Sequence, residues 1–370
     1  MSGATPVTDD LVVRLAALYD EPDQRFEILA QAAGLDPGRD FRSRDLRALH
    51  FTSANVAGFD FTDSDLRGTA LRFAAQIDDS TIIAGALLDR SDADWYDAHV
   101  RATPPLDTAL VDDLRLALDR EQFALVFQPK VALAGGVVTG AEGLLQWQHH
   151  EQGVVSPYRF VPLLEDLDLI ERVTLWMIET AIEQQRKLVR LGFDLTIALN
   201  ISPTLMERAD FIADCRRLVT GQASALRFEI NESALVADPE ILIRHIEQLA
   251  TMGITIALDD YGTGYSSLAV LKRLPAQELK IDRSFVYLLG DDHADPLVVR
   301  STIDLAHALG WEVTAEGVET ASQLNLLTVM GCDAAQGYLI ARPMNIEQLA
   351  SFLKAGVDLP LPLERRDRFV

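Results

Sequence analysis

Asp259 and Asp260 stand side by side at the end of a short apolar run, 255–258, in the stretch ITIALDDYGTGYSSLAVLKRLPAQELKIDRSF. Successive side chains of a strand point to opposite faces. Two adjacent acids therefore serve one site only where the strand ends and the backbone turns, and Gly262 and Gly264 are expected to supply that turn. A second apolar run, 278–281, carries Lys280, with Asp282 just beyond. Other polar groups sit at the ends of similar runs: Glu142 in AEGLLQW, Asn200 in TIALN, Glu229 and Glu232 in RFEINES, Glu316 in TAEGVET and Gln336 in AAQGYLIARP. Oxygen ligands gathered around one lysine suit hard divalent cations, Mg²⁺ or Mn²⁺. No His/Cys spacing suggests zinc, and the adjacent His149 and His150 read as exposed. Each acid alone also reads as a helix cap or a surface charge. That reading is poor for all of them together at strand ends.

The elements that must position these groups alternate from 108 to about 356. Strands are expected over 123–129, 137–145, 195–200, 226–230, 255–258, 278–281, 312–315 and 333–337, with helices between most of them, for example 171–191, 239–252, 296–309 and 321–330. Such a set in roughly 250 residues is the size of an α/β (β/α)8 TIM-like barrel, whose strand ends converge on one mouth. A doubly wound open sheet is the alternative. The turn between the first two strands is too short for a parallel crossover, so the first strand should be antiparallel.

The chain has 370 residues, 48% of them hydrophobic, enough for about two domains. No apolar run approaches the roughly 20 residues that span a bilayer, and the N-terminus lacks a signal-peptide pattern. Cys215 and Cys332 form no disulfide framework, which points to a reducing cytoplasm. A net charge of −23 opposes binding to DNA or an anionic membrane.

Residues 8–34 read as amphipathic helix, with Leu11, Val12, Leu15 and Leu18 on one face, and 1–38 as an N-terminal helical cap. From there Phe41, Leu46, Phe51, Val56, Phe61, Leu66 and Leu71 recur at every fifth position, and after a one-residue slip Ile77, Ile82 and Leu87 continue. Asp40, Asp45, Asn55, Asp60 and Asp65 precede five of them. Five fits neither helix nor strand; it suits a square β-solenoid with one inward residue per side. The stretch 39–89 resembles the pentapeptide-repeat family, with about ten units that need capping at both ends. The small residue of that motif is often missing, as at Arg44 and Phe59. A docking, dimerisation or regulatory role follows for it. The polar, proline-bearing segment 90–107 reads as a linker and 358–370 as a loose tail.

Residues 109–357 resemble the EAL-domain family of cyclic-di-GMP phosphodiesterases, in LDDYGTGYSSL, LKIDRSFV, AEGVET and QGYLIARPM. The resemblance implies a barrel with an antiparallel first strand, hydrolysis of cyclic di-GMP to linear pGpG with two divalent metals, and a homodimer. It implies that Glu142, Asn200, Glu229 and Asp259 hold the first metal. Asp259 bridges to the second, which Asp260 and Glu316 help to bind. Lys280 orients or deprotonates the attacking water; its burial and the nearby acids pull its pKa in opposite directions. Gln336 positions water or substrate, Gln128 contacts a guanine, and Leu144, Gln146 and Asp282 line the substrate. Glu232 anchors the glycine-rich loop 261–267.

The chain departs from the family pattern at Gly143 and Gln146, and also at Gln148 and Gln152, where basic residues are common, and at Gln277, where an acid is usual. Gly143 replaces the alanine of the EAL signature on the face opposite Glu142, and a mild effect is expected. Gln146 replaces an arginine of the LLRW pattern. A guanidinium grips phosphate bidentately and a carboxamide does not. The alternative reading is therefore a catalytically weak or inactive cyclic-di-GMP receptor or scaffold.

Overall fold

The runs TIALN, LRFEIN and TIALDDY carry buried residues at consecutive positions, as strands covered on both faces must. In a computed structural model these runs lie in one closed sheet. The structure describes residues 26–44, single positions and short runs between 46 and 88, and residues 108–219, 225–232, 235, 239–261, 268–287, 289, 296–357 and 359. The chain divides into two compact units, with the boundary after Asp107.

In the second unit the strands are β1 Phe123–Ala132, β2 Val138–His149, β3 Gly153–Val155, β4 Thr196–Asn200, β5 Leu226–Asn231, β6 Thr255–Tyr261, β7 Glu278–Ile281, β8 Glu312–Ala315 and β9 Ala334–Ala335. The order β1-β9-β8-β7-β6-β5-β4-β2-β3, with β1 also paired to β2, closes a barrel of eight strands. The open-sheet alternative is thereby excluded. β1 runs antiparallel to both β2 and β9, and all other neighbours within the barrel are parallel. β3 stands outside the ring as a hairpin extension of β2, and at three residues it is too short to show a period in sequence. The helices Ile170–Arg190, Pro239–Met252, Pro296–Leu309 and Ala321–Met330 fall between the strands as expected. Helix Ile170–Arg190 buries Val173, Met177, Ile178, Ala181, Ile182 and Leu188, the three-to-four spacing of one helix face.

In the first unit a helix spans Phe26–Ala32, and residues 33–34, expected as helix, form a turn; residues 8–25 of the expected helix, the linker 90–107 and nearly all of the tail lie outside the described residues. Phe41, Leu46, Phe51, Val56, Phe61, Leu66 and Leu71 are fully buried in one cluster. The inward residues from Phe51 to Leu71 each open a turn: the N–H groups of Ala54, Phe59, Ser64, Thr69 and Ala74 donate to the carbonyls of Phe51, Val56, Phe61, Leu66 and Leu71. Bonds from Ser43 N–H to the Thr62 carbonyl, and from Phe51 N–H to the Thr69 carbonyl, lay successive stretches side by side. The acids that precede inward residues have a local task. The Asn55 side chain accepts from Ala57 N–H at 3.1 Å, and Asp60 from Thr62 N–H at 2.9 Å. One expectation is corrected: Ile82 is 45% exposed, and Ile83 packs on the cluster instead. The Phe61 N–H takes the Ile82 carbonyl, which turns the Ile82 side chain outward. Leu87 lies outside the described residues.

Among the described residues no helix is long and apolar enough to cross a membrane.

Candidate active site

Lys280 is the centre of the barrel mouth. It projects inward from β7 and is 1% exposed, while its neighbours Leu279 and Ile281 pack outward into the apolar shell. Its ammonium lies 2.5 Å from Glu316 Oε1, 2.7 Å from Glu229 Oε2, 3.4 Å from Asp259 Oδ1 and 3.8 Å from Glu142 Oε2. These acids come from the ends of β8, β5, β6 and the middle of β2. A hydrogen-bonded arc completes the ring. Asn200 Nδ2 donates to Glu142 Oε1 at 2.7 Å, and Gln336 Nε2 donates to Glu142 Oε2 at 2.5 Å and to Gln128 Oε1 at 3.1 Å. Gln128 in turn donates to the Ala341 carbonyl at 3.0 Å.

The backbone turn that serves both aspartates is made at Asp260 itself. Asp260 has φ +53°, and the β6–β7 register shifts between Leu258 and Tyr261. Asp is among the few non-glycine residues that enter this region readily. The bulge brings one oxygen each of Asp259, Asp260 and Glu316 within 4.8 Å of one another. Gly262 and Gly264 lie outside the described residues, as does most of the loop 261–267. Asn231, which the sequence reading missed, donates from Nδ2 to Asp260 Oδ2 at 2.5 Å. Its place two residues after Glu229 on β5 was the available signal. Asp282 faces Asp260 rather than open space. Glu232 is 2% exposed and its N–H donates to the Asp259 carbonyl at 3.1 Å. Its charge also acts on Tyr261.

Burial alone would depress the Lys280 ammonium, but Asp259, Glu142, Glu229 and Glu316 hold it well above its usual value. The balance left open by the sequence thus falls to the charged lysine. The acids outnumber it. Burial, with repulsion from Glu142 and Asp259, pushes Glu229 up to about 8. Burial and then Asp259 and Asp282 push Asp260 up to about 7. Burial also raises Asp259 and Glu316. Burial opposes ionisation of Glu142, yet Lys280, Gln336 and Asn200 together hold it low. Buried hard oxygens in excess of the ammonium that they bond among the described residues fit divalent metals of the Mg²⁺ or Mn²⁺ type.

A second group of possible ligands, Asp113, His149 and His150, does not suit a metal. His149 is buried, contrary to the sequence expectation, because its Nδ1 accepts from the N–H groups of Glu151 and Gln152 while Nε2 faces Asp113 at 3.1 Å. The proton therefore sits on Nε2, and the ring has no lone pair to offer there.

The pattern that defines the EAL domain matches residues 111–343. The chain belongs to the EAL-domain family. It is 39% identical over 259 residues to the bifunctional diguanylate cyclase/cyclic di-GMP phosphodiesterase MucR of Pseudomonas aeruginosa, covering 69% of this chain and 38% of MucR. It is 35% identical to the cyclic di-GMP phosphodiesterase RocR of the same organism, over 70% of this chain and 67% of RocR. The solved PaMucR phosphodiesterase in complex with c-di-GMP superposes with a TM-score of 0.63 and 41% identity, over 65% of this chain and 99% of that one. The chain spans less than half the length of several curated relatives it matches.

The remaining expected residues of the EAL domain lie along β2. Leu144 and Gln146 share the face of Glu142 and are half-buried. Gln146 Oε1 accepts from Gln148 Nε2 at 3.1 Å, so its carboxamide lies along the strand rim rather than in the Lys280 ring. Gly143 faces the shell. A Cβ there would meet Leu199 Cδ2 at 2.9 Å and Leu125 Cδ2 at 3.3 Å, so the packing has closed onto the glycine.

Proposed function

We propose that this chain hydrolyses one phosphodiester of cyclic di-GMP to give linear pGpG. The observation that carries the reading is the ring of buried acids around Lys280, with both members of the Asp259–Asp260 pair turned to one side of it. Relatives that share this domain are named as cyclic di-GMP phosphodiesterases, and one is solved with c-di-GMP. Two divalent cations, when bound, would lower the pKa of a water and offset charge on the phosphate. Glu142, Asn200, Glu229 and Asp259 would hold one, and Asp259, Asp260 and Glu316 the other. Lys280, kept as an ammonium by its acids, orients the attacking oxygen and steadies charge there rather than acting as a base. Gln336 fixes Glu142. Gln128, Leu144, Gln146 and Asp282 border the substrate, and Glu232 steadies the start of the loop after β6.

The test is a turnover assay with Mg²⁺ and, separately, Mn²⁺, following pGpG by chromatography with Glu142→Ala as the control. Turnover lost in the variant supports the reading; turnover unchanged in it sinks the reading. A second reading, a receptor that binds without turnover, is favoured by Gln146. A neutral carboxamide there grips phosphate less well than a guanidinium. Binding of cyclic di-GMP with no product in either metal would decide for it.

The five-residue burial period and the side-by-side turns support a pentapeptide-repeat solenoid over 39–89, joined through 90–107 to the EAL domain. Among its described residues there is no ring of acids like that around Lys280, and the solenoid serves docking to a protein partner or dimerisation. The buried thiols of Cys215 and Cys332, each raised by burial to about 12, agree with a reducing cytoplasm.

A further inference from the structure

Beneath the catalytic ring lies a second ring of inward side chains. Lys130, Arg227, Glu278 and Thr314 stand two residues from Gln128, Glu229, Lys280 and Glu316 on the same strands, Glu316 being one residue past the end of β8 and still bonded to the Ile281 carbonyl. Side chains two apart share a face, so the two rings stack along the barrel axis. On the other four strands the same offset from Glu142, Asn200, Asp259 and Gln336 gives Gly140, Ala198, Ala257 and Ala334. The small residues leave room that the long ones enter. On the β2–β4 side some room remains: a cavity of about 90 Å³ runs from Lys130 and Arg227 up to Glu142 and Glu229.

Glu278 is the hub of this lower ring. It is 1% exposed. Lys130 Nζ donates to both of its oxygens at 2.7 Å, and Arg227 Nη1 and Thr314 Oγ1 also bond to it. One carboxylate thereby ties β1, β5, β7 and β8, the strands that carry Gln128, Glu229, Lys280 and Glu316. Stability is a poor reason for such a cluster. Apolar side chains of equal volume often hold a core as well as a buried ion group does, and barrel interiors are ordinarily filled with branched apolar residues.

We propose that Glu278 is a positioning residue: by drawing Lys130, Arg227 and Thr314 to the barrel axis, it sets the spacing of the carboxylates one layer above and so their hold on divalent cations. This inference rests on the metal-dependent reading of the site, and its test separates the two. Calorimetry measures Mn²⁺ affinity of the full chain, native and Glu278→Gln, beside kcat and KM for cyclic di-GMP and the melting temperature. Glu278→Gln keeps the length and removes the charge that gathers the donors. The expected result is an Mn²⁺ affinity lower by about tenfold, the usual effect of disturbing groups that orient metal ligands. A similar fall in kcat should accompany it, with KM held. Affinity and kcat both within a factor of about three of native, whatever the melting temperature does, would overturn the proposal. If Glu278→Gln does not fold, Lys130→Met, which removes one donor and keeps the stem, decides by the same limits. A native chain that binds Mn²⁺ yet makes no pGpG defeats the phosphodiesterase reading, while the affinity comparison still decides on Glu278. A native chain that binds no Mn²⁺ defeats both.

Discussion

Lys280 retains its proton because four acids surround it, and the surplus of acid has a consequence for pH. Asp260 near 7 and Glu229 near 8 bind protons in the metal-free fold that the unfolded chain releases near 4. Between those limits the folded state holds more protons, so metal-free stability falls as pH rises from about 5 to 8. Melting scans without metal should show this decline, and Asp260→Asn should lessen it; a flat profile contradicts the assignment. Metal must displace the same protons, so Mn²⁺ affinity should climb over the same window, with proton uptake by buffer visible in calorimetry. Gln146 supports a second expectation. On the proposed reading, Gln146→Arg should supply a charged phosphate contact worth about 1.5–3 kcal/mol, which is roughly a ten- to hundredfold tighter hold on cyclic di-GMP. Equilibrium binding to the two proteins in Ca²⁺ or without metal checks it, and equal affinities would count against a missing phosphate grip. That Glu142, Asn200, Glu229, Lys280 and Glu316 cluster was legible because each ends or lines an apolar run. Asn231 and the Gln128–Gln336 bond were not: the partner of Asn231, Asp260, is set by a bulge that the sequence does not announce, and the other joins residues more than two hundred positions apart.

At the scale of elements, strand order and helix positions followed from apolar runs and their spacing, and failed where local backbone chemistry intervened. The bulge at Asp260 adds Asp259, Asp260 and Tyr261 to a strand expected to stop at Leu258, because an aspartate, and not a glycine, takes the left-handed position. In the first unit the five-residue period carries through Leu71, but Ile83 replaces Ile82 inward where a backbone bond fixes the latter. At β2, Gly143→Ala would regain the usual EAL signature yet press on Leu199 and Leu125. The flexible tips can give, so a cost of about 1 kcal/mol is expected, at the low end for overpacked cores. Urea unfolding midpoints measure it; a stabilised variant would show that the leucines yield freely.

Across the whole molecule the two units have separate cores, one apolar and aromatic, the other built around the barrel. Phe51 is fully buried and packs with tilted rings against Phe26 and Phe61 at centroid distances of 4.6 and 5.3 Å. Phe51→Ala should destabilise the first unit by about 3–5 kcal/mol. Calorimetric unfolding should then show an early transition lowered while Mn²⁺ affinity of the barrel stays at its native value. Loss of Mn²⁺ binding in that variant would mean that the two cores unfold as one. The closed barrel was legible from the count of alternating elements and the short first turn. The identity of its lower ring was not, because Glu278, Arg227 and Lys130 look in sequence like ordinary charges on strand rims.

The arc Gln128–Gln336–Glu142 gives the barrel mouth a property that no single residue has. Gln336 divides one amide group between Gln128 and Glu142. The amide carries one N–H for each acceptor, so an occupant that shifts Gln128 or Glu142 moves the one side chain that both hold. On the proposed reading, occupants of the two ends would share a free energy of coupling, and whatever factor Mn²⁺ applied to the affinity for cyclic di-GMP, cyclic di-GMP would return to Mn²⁺.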